Sequence, residues 1–157
     1  MNTRGSPFYF QVQTIPAKFE QLKTLGEFVG HACQAAAFDG RISYAVTLAV
    51  DEACSNIIEH ACRSIPETCE ITCTCAVDEY ALYIELHDHG SPFNPSEIPE
   101  PDINAGLEGR GMGGLGIYFM RHLMDEVNFR FVTVDPPQDP EIRGNYLTMV
   151  KYRVWAE

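Results

Sequence analysis

The sequence predicts an α+β fold, a two-layer α/β sandwich in which helices cover one face of a mostly antiparallel sheet. Two observations predict this class. The predicted strands occur in runs and do not alternate strictly with helices, which disfavours a doubly wound parallel sheet. The chain has 157 residues, of which 45% are hydrophobic, so it can bury one core but has no room for a second catalytic domain. We therefore expect one domain over residues 1–157.

Apolar spacing predicts the first three elements. Residues 8–12 alternate at the period of a half-buried strand, which Pro16 closes. Apolar residues then recur at helical spacing over 17–37, and an Asp-Gly pair follows as a turn. A second helix is expected from about 42 to 62, because Pro66 cannot continue it.

A hairpin, a long loop, a helix and two strands follow. The elements are predicted at 70–77, 80–88, 116–124, 126–134 and 145–155. The segment before the third helix is rich in glycine and proline and is longer than a passive connection in a compact domain. We therefore expect a lid at about residues 91–114.

Charge and hydropathy exclude several classes of partner. The chain has 11 Lys and Arg against 22 Asp and Glu, and its net charge of -11 repels nucleic-acid phosphates and anionic membranes. No segment approaches the roughly 20 apolar residues of a membrane-spanning helix, and the first six residues lack the apolar segment of a secretory signal. We expect a cytoplasmic protein with no nucleic-acid partner and no membrane partner.

The six cysteines do not have the spacing of a metal site. None of them forms the paired C-x-x-C pattern of zinc ligands. Cys73 and Cys75 alternate with threonines in a strand-like run, where cysteine acts as a small core residue. We therefore expect reduced, buried thiols.

The second predicted helix carries polar side chains on a face that should be apolar. Glu52, Asn56 and His60 share this face with Leu48, Ala49, Ala53 and Ile57. Burying a carboxylate and an amide is costly unless they are paired. A bound magnesium triphosphate would pair them, with the Asn56 oxygen on Mg²⁺ and Glu52 as general base. An internal hydrogen-bond network without a ligand is the alternative.

Two further segments contain residues suited to a nucleotide. Asp88 ends the inward row of the second hairpin strand, where it can accept a hydrogen bond from an exocyclic amine such as that of adenine, and Gly90 would allow a ring to approach closely. The same residues are equally typical of a turn. Five glycines at 106–114 precede the third helix, whose N-terminus attracts anions. A flexible hinge without a ligand is the alternative there.

The motifs E-x-x-x-N, D-x-G-x-P-F and G-G-L-G-I occur in this order and resemble the N, G1 and G2 boxes of the GHKL superfamily of histidine kinase-like ATPases. The runs 51–61, 88–95 and 113–127 are similar to the anti-sigma factor serine kinases. The resemblance covers nearly the whole chain. Pro92 stands where many members of the superfamily have a second glycine, although proline also occurs there in this regulatory branch.

The resemblance implies the cofactors ATP and Mg²⁺. Glu52 would be the catalytic base and Asn56 the Mg²⁺ ligand. The other implied ATP-binding residues are Asp88, Gly90, Arg110, Gly113, Gly114, Leu115, Gly116 and Thr148. Arg110 suits a phosphate, although the glycine run can be aligned two or three residues out of register. Thr148 lies on a row with Tyr146 and Tyr152 that we expect to face the adenine.

The resemblance also implies a function. The chain would phosphorylate a serine or threonine of a small anti-sigma factor antagonist protein and would sequester a sigma factor, usually as a homodimer, in a stress-response switch. A nucleotide-gated binding module of the same fold, without phosphotransfer, is the alternative.

Overall fold

The computed structural model describes residues 1–97 and 115–154. The strands and α-helices in these ranges are β1 Tyr9–Pro16, α1 Leu22–Ala35, α2 Gly40–Asn56, β2 Glu70–Val77, β3 Ala81–Asp88, α3 Leu115–Leu123, β4 Glu126–Val132 and β5 Gly144–Tyr152. No helix in the described ranges is long and apolar enough to cross a lipid bilayer.

The strands form a sheet in the order β1-β2-β3-β5-β4, and every neighbouring pair is antiparallel. This arrangement confirms the predicted α+β class. In the pairing of β3 with β5, Asp88 lies opposite Asn145, and Leu86 lies opposite Leu147. Opposite residues of an antiparallel pair point to the same face, so Asp88 and Asn145 share a side of the sheet.

The core lies between one face of this sheet and the helices. Leu82, Ile84 and Leu86 of β3 are completely buried there, and Leu147 and Met149 of β5 extend the same layer. Across the layer, α1 and α2 contribute the buried residues Leu25, Val29, Val46, Ala49 and Val50. This one-sided packing is the predicted two-layer sandwich.

The second helix differs from the prediction at both ends. It begins at Gly40, because the Asp39 carboxylate accepts a hydrogen bond of 2.8 Å from the Ile42 backbone N–H and caps the helix. After Asn56 the chain widens into a π turn over Ile57–Ala61. A π turn shifts the backbone that follows it, so the last turn faces differently from a continued α-helix.

The expectation of reduced thiols is wrong for two of the six cysteines. Cys62 and Cys69 form a disulfide. The Ile65 N–H donates to the Cys62 carbonyl, and the Cys69 N–H donates to the Ile65 carbonyl, so the intervening loop folds back on itself. The two Cα atoms are thereby 5.7 Å apart, which is within the disulfide range. The other cysteines are free and buried, as predicted: Cys33, Cys54, Cys73 and Cys75.

Candidate functional site

A cleft opens between the helices and the sheet where β3 ends and β5 begins. It is lined by Ala53, Asn56, Ile57, Ala61, Asp88, Phe93, Met120, Phe129, Arg130, Asn145, Tyr146 and Leu147. Most of these side chains are apolar or aromatic, while a few polar groups converge from α2, β3 and β5. A mostly apolar cleft with a small number of placed polar groups is typical of a small-molecule site.

Asp88 is buried at the end of β3, and only one of its two oxygens has a partner. Its Oδ1 accepts hydrogen bonds from the Gly90 N–H at 2.8 Å and from the Asn145 Nδ2 at 3.0 Å. Its Oδ2 is equally buried and has no hydrogen-bond partner among the described residues. Burial raises the pKa of this carboxyl, although the hydrogen bonds from Asn145 and Gly90 act in the opposite direction. The cleft therefore contains an acceptor that needs a donor.

Asn56 presents a second buried polar group to the cleft. The residue is 8% exposed, and its Nδ2 has no hydrogen-bond partner in the described part of the chain. A buried amide without partners is costly, and native proteins rarely leave one unsatisfied. Asn56 and Asp88 thus both hold unused hydrogen-bonding capacity within one cleft. This pattern favours a ligand over the internal network considered from the sequence.

Glu52 lies one turn before Asn56 on α2 and is half-buried. Burial is the main cause that raises the pKa of its carboxyl, and the neighbouring carboxylates of Asp51 and Glu59 add to the rise. A carboxylate with a raised pKa is a stronger base. The chemistry of this side chain therefore suits proton abstraction.

The start of α3 lies against these two residues. A Cβ placed on Gly116 would be 3.0 Å from the Glu52 Oε2 and 3.2 Å from the Asn56 Nδ2. The first turn of α3, which begins at Leu115, is therefore beside both side chains. Unpaired backbone N–H groups at a helix N-terminus favour an anion.

Gly90 lies at a point where the chain passes very close to the end of α2. A Cβ at this position would overlap the Ala61 backbone carbonyl, and the adjacent Ser91 N–H donates to the same carbonyl at 2.8 Å. Ala61 ends the π turn, so the widened turn sets the position of this carbonyl. Glycine is required here for close packing of two backbone segments.

Asn145 is a site residue that the sequence analysis missed. Its Nδ2 donates to the Asp88 Oδ1 and, at 2.8 Å, to the Ser91 carbonyl, while its Oδ1 accepts from the Phe93 N–H at 2.9 Å. Asn145 thus holds Asp88 in one orientation and fixes the chain that follows it. The sequence held one signal, a glycine directly before an asparagine at the start of the predicted last strand. In the structure Gly144 has a φ of +131°, a conformation that favours glycine.

The structure contradicts the predicted placement of Thr148. This residue pairs with Glu85 and Asn128, and it lines an open groove on the face of the sheet away from the helices. Side chains alternate along a strand, so choosing the wrong row moves every residue to the opposite face. Tyr146 belongs to the outer row and stacks on His87 there, with ring centroids 4.1 Å apart.

The structure brings Glu52, Asn56, Asp88, Gly90 and Gly116 to one end of the sandwich. Three further predicted residues, Arg110, Gly113 and Gly114, and most of the expected lid lie outside the described residues.

Comparison with known proteins identifies similar chains. Residues 15–151 match the family model of the histidine kinase-like ATPase domain. The serine-protein kinase RsbW of Bacillus mycoides is 36% identical over 84 residues, which are 51% of this chain and 51% of that protein. RsbW of Listeria monocytogenes is 32% identical over 88 residues, 54% and 55% of the two chains. The serine/threonine-protein kinase BtrW of Bordetella bronchiseptica is 29% identical over 94 residues, 59% and 65% of the two chains. The chain spans about half the length of the RsbW proteins that it matches.

The close approach at Gly90 can be tested with a matched pair of glycine substitutions. Gly90→Ala should lower the free energy of unfolding by about 2 kcal/mol, because the added methyl group overlaps the Ala61 carbonyl. Gly30→Ala, inside α1, meets no atom within 4 Å and should raise it by about 0.5 kcal/mol. Urea unfolding of both variants is the measurement. Equal effects of the two substitutions would contradict the packing described.

The unpaired oxygen of Asp88 predicts a pH-dependent effect on stability. The folded pKa is raised, so the wild-type protein loses stability as pH rises from the unfolded pKa of about 3.9 through the folded value. Asp88→Asn removes this loss and should be more stable than the wild type by about 1 kcal/mol at pH 7.5 without ligand. The difference should shrink at pH 4. Urea unfolding at the two pH values measures it, and a difference independent of pH would show that the carboxyl is not destabilised by burial.

Proposed function

The chain belongs to the family of histidine kinase-like ATPase domains, and from this premise we propose that residues 1–157 form one ATP-dependent protein serine/threonine kinase domain. Membership confirms the family recognised from the sequence, and an ATPase domain binds ATP. The observation that carries the proposal is the pair of unsatisfied polar groups, on Asp88 and Asn56, in one apolar cleft.

The Asp88 Oδ2 suits the exocyclic amine of adenine. A carboxylate only accepts hydrogen bonds, and the amine supplies the missing donor. The apolar and aromatic side chains of Met120, Leu147 and Phe129 suit the faces of a flat ring. Binding there would satisfy the acceptor that burial now leaves unpaired.

The residues present also fit Mg²⁺ beside the phosphates. An amide can turn its oxygen to where its nitrogen lies, and an amide oxygen is a hard ligand of the kind that Mg²⁺ prefers. Asn56 would hold the ion, and the backbone N–H groups at the start of α3 would bind phosphate oxygens. When bound, Mg²⁺ supplies positive charge against the phosphates. Arg110, Gly113 and Gly114 remain proposed phosphate ligands of the lid.

Glu52 would act as the general base in the transfer. Its carboxylate takes the proton from a serine or threonine hydroxyl of the partner, and that oxygen forms a bond to the γ-phosphorus as the bond to the β–γ bridging oxygen breaks. The raised pKa makes Glu52 a better base for this step. Its position beside Gly116 supports this role, because the phosphate-binding helix start and the base are then adjacent.

The protein substrate that we propose is a small anti-sigma factor antagonist, phosphorylated on serine or threonine. The names of the relatives, serine-protein kinase and serine/threonine-protein kinase, support phosphotransfer to a protein. We further propose that the domain acts in the cytoplasm as a homodimer and sequesters a sigma factor when the antagonist is phosphorylated. The acidic charge of the chain favours protein partners over nucleic acid.

Substitution of Glu52 tests the proposed transfer. Glu52→Gln should reduce phosphate transfer from labelled ATP to antagonist proteins of the same genome by at least about 100-fold, because the base is lost. The affinity for Mg-ADP should stay within a few-fold of the wild-type value, since Glu52 is not expected to contact the adenine ring or to hold the Mg²⁺ ion.

Glu27→Gln is the matched control, because Glu27 is an exposed glutamate on α1 and should leave transfer unchanged. Nucleotide binding by the wild type without transfer to any partner would contradict the kinase and support a nucleotide-gated binding module. Absence of Mg-ADP binding would contradict both.

A further inference from the structure

The disulfide joins the helix of the site to the sheet. Cys62 directly follows the π turn that ends α2, and Cys69 directly precedes β2. Both residues are buried, at 1% and 3% exposure, whereas residues 63–68 between them are all exposed. The bond therefore belongs to the core and closes a short surface loop.

Ala61, the residue next to Cys62, is part of the site. It lines the cleft, and its carbonyl accepts the Ser91 N–H and fills the space beside Gly90. Ser91 is also held by Asn145, which orients Asp88. The position of the Ala61 carbonyl is thus coupled through three hydrogen bonds, by way of Ser91 and Asn145, to the carboxylate that we assign to adenine.

A disulfide restricts the positions that the neighbouring backbone can adopt. With the bond intact, the Cys62 end of the π turn is tied to the start of β2, which is itself held in the sheet between β1 and β3. Without it, the Ala61 segment keeps its hydrogen bonds and its packing in the core but loses the covalent tie to β2. If the Ala61 carbonyl were held less firmly, Gly90 and Ser91 would be less well ordered before the ligand binds. The conformational entropy lost when the ligand orders them would then weaken binding.

We infer that the Cys62–Cys69 pair is a thiol–disulfide exchange site that controls the nucleotide affinity of the adjacent cleft, with the oxidised form as the high-affinity state. The inference rests on the proposed nucleotide site. The co-reactant is a dithiol. Its thiolate attacks one sulfur to give a mixed disulfide, and its second thiol then displaces the protein sulfur. Two electrons and two protons pass to Cys62 and Cys69, and the dithiol leaves as its own disulfide.

The free cysteines are poor competitors in this exchange. Burial raises the pKa of the Cys33 thiol to about 12, and burial likewise raises the pKa of Cys54. Thiolates are the reactive form, so these thiols react slowly at neutral pH. Cys73 and Cys75 are also buried, in the inward row of β2. Cys62 and Cys69 are the pair that is joined by a disulfide in the described part of the chain, so we expect reversible exchange there.

Calorimetric titration with Mg-ADP tests the inference on the whole chain. Protein that has been oxidised, with the bond verified by resistance to alkylation, should bind Mg-ADP about tenfold more tightly than protein reduced with dithiothreitol. The double variant Cys62→Ser, Cys69→Ser is the control, and its affinity should match the reduced wild type with and without dithiothreitol. The affinity of the oxidised and reduced wild-type proteins can be compared even if this variant does not fold.

Reciprocal coupling provides a second measurement. If the oxidised form binds Mg-ADP tenfold more tightly, saturating Mg-ADP must shift the equilibrium with dithiothreitol toward the disulfide by the same factor. Equal affinities in the two redox states, or alkylation of Cys62 and Cys69 after oxidation, would overturn the inference and leave the proposed function intact. Absence of Mg-ADP binding in both states would overturn the proposed function, and the inference with it.

Discussion

The candidate site depends on the Asp88 carboxylate, which is buried but is hydrogen-bonded through only one of its two oxygens. Asn145 and Gly90 hold the Asp88 Oδ1, so the side chain cannot turn, and the Oδ2 stays buried without a described partner. A buried oxygen without a hydrogen bond lowers the free energy of unfolding of the protein. It follows from the register of β3 and β5, which sets Asp88 opposite Asn145, and from the core row that leads to it. A ligand that donates a hydrogen bond recovers the cost, and this is a physical reason for selective binding.

Helix α2 links the other parts of the site. One turn separates the proposed base, Glu52, from the proposed ion ligand, Asn56, so both face the start of α3. The π turn then brings the Ala61 carbonyl to Ser91, and the disulfide fastens this end of the helix to β2. The proposed base, the proposed ion ligand and the cross-link therefore lie on one continuous segment of the chain. A substitution or a broken cross-link at either end of this segment is therefore expected to alter the positions of the cleft residues Asn56 and Ala61.

Short-range patterns made much of this predictable from the sequence. Alternation gave the limits of β2 and the inward position of Asp88, and helical spacing placed Glu52 and Asn56 on one face. The last strand was harder, because Tyr146, Val150 and Tyr152 made its outer row look like core, so Thr148 was assigned to the wrong face and Asn145 was missed. Long-range contacts decide such cases. The Cys62–Cys69 bond likewise depends on how the intervening loop folds, which spacing does not reveal.

The central claim is that the free oxygen of Asp88 recognises the adenine amine. Calorimetric titration can compare Mg-ADP with the Mg²⁺ complex of purine riboside diphosphate, which lacks only that amine. We expect ADP to bind at least about tenfold more tightly, because the buried Asp88 oxygen stays unpaired when the analogue binds. Equal affinities for the two nucleotides would contradict it.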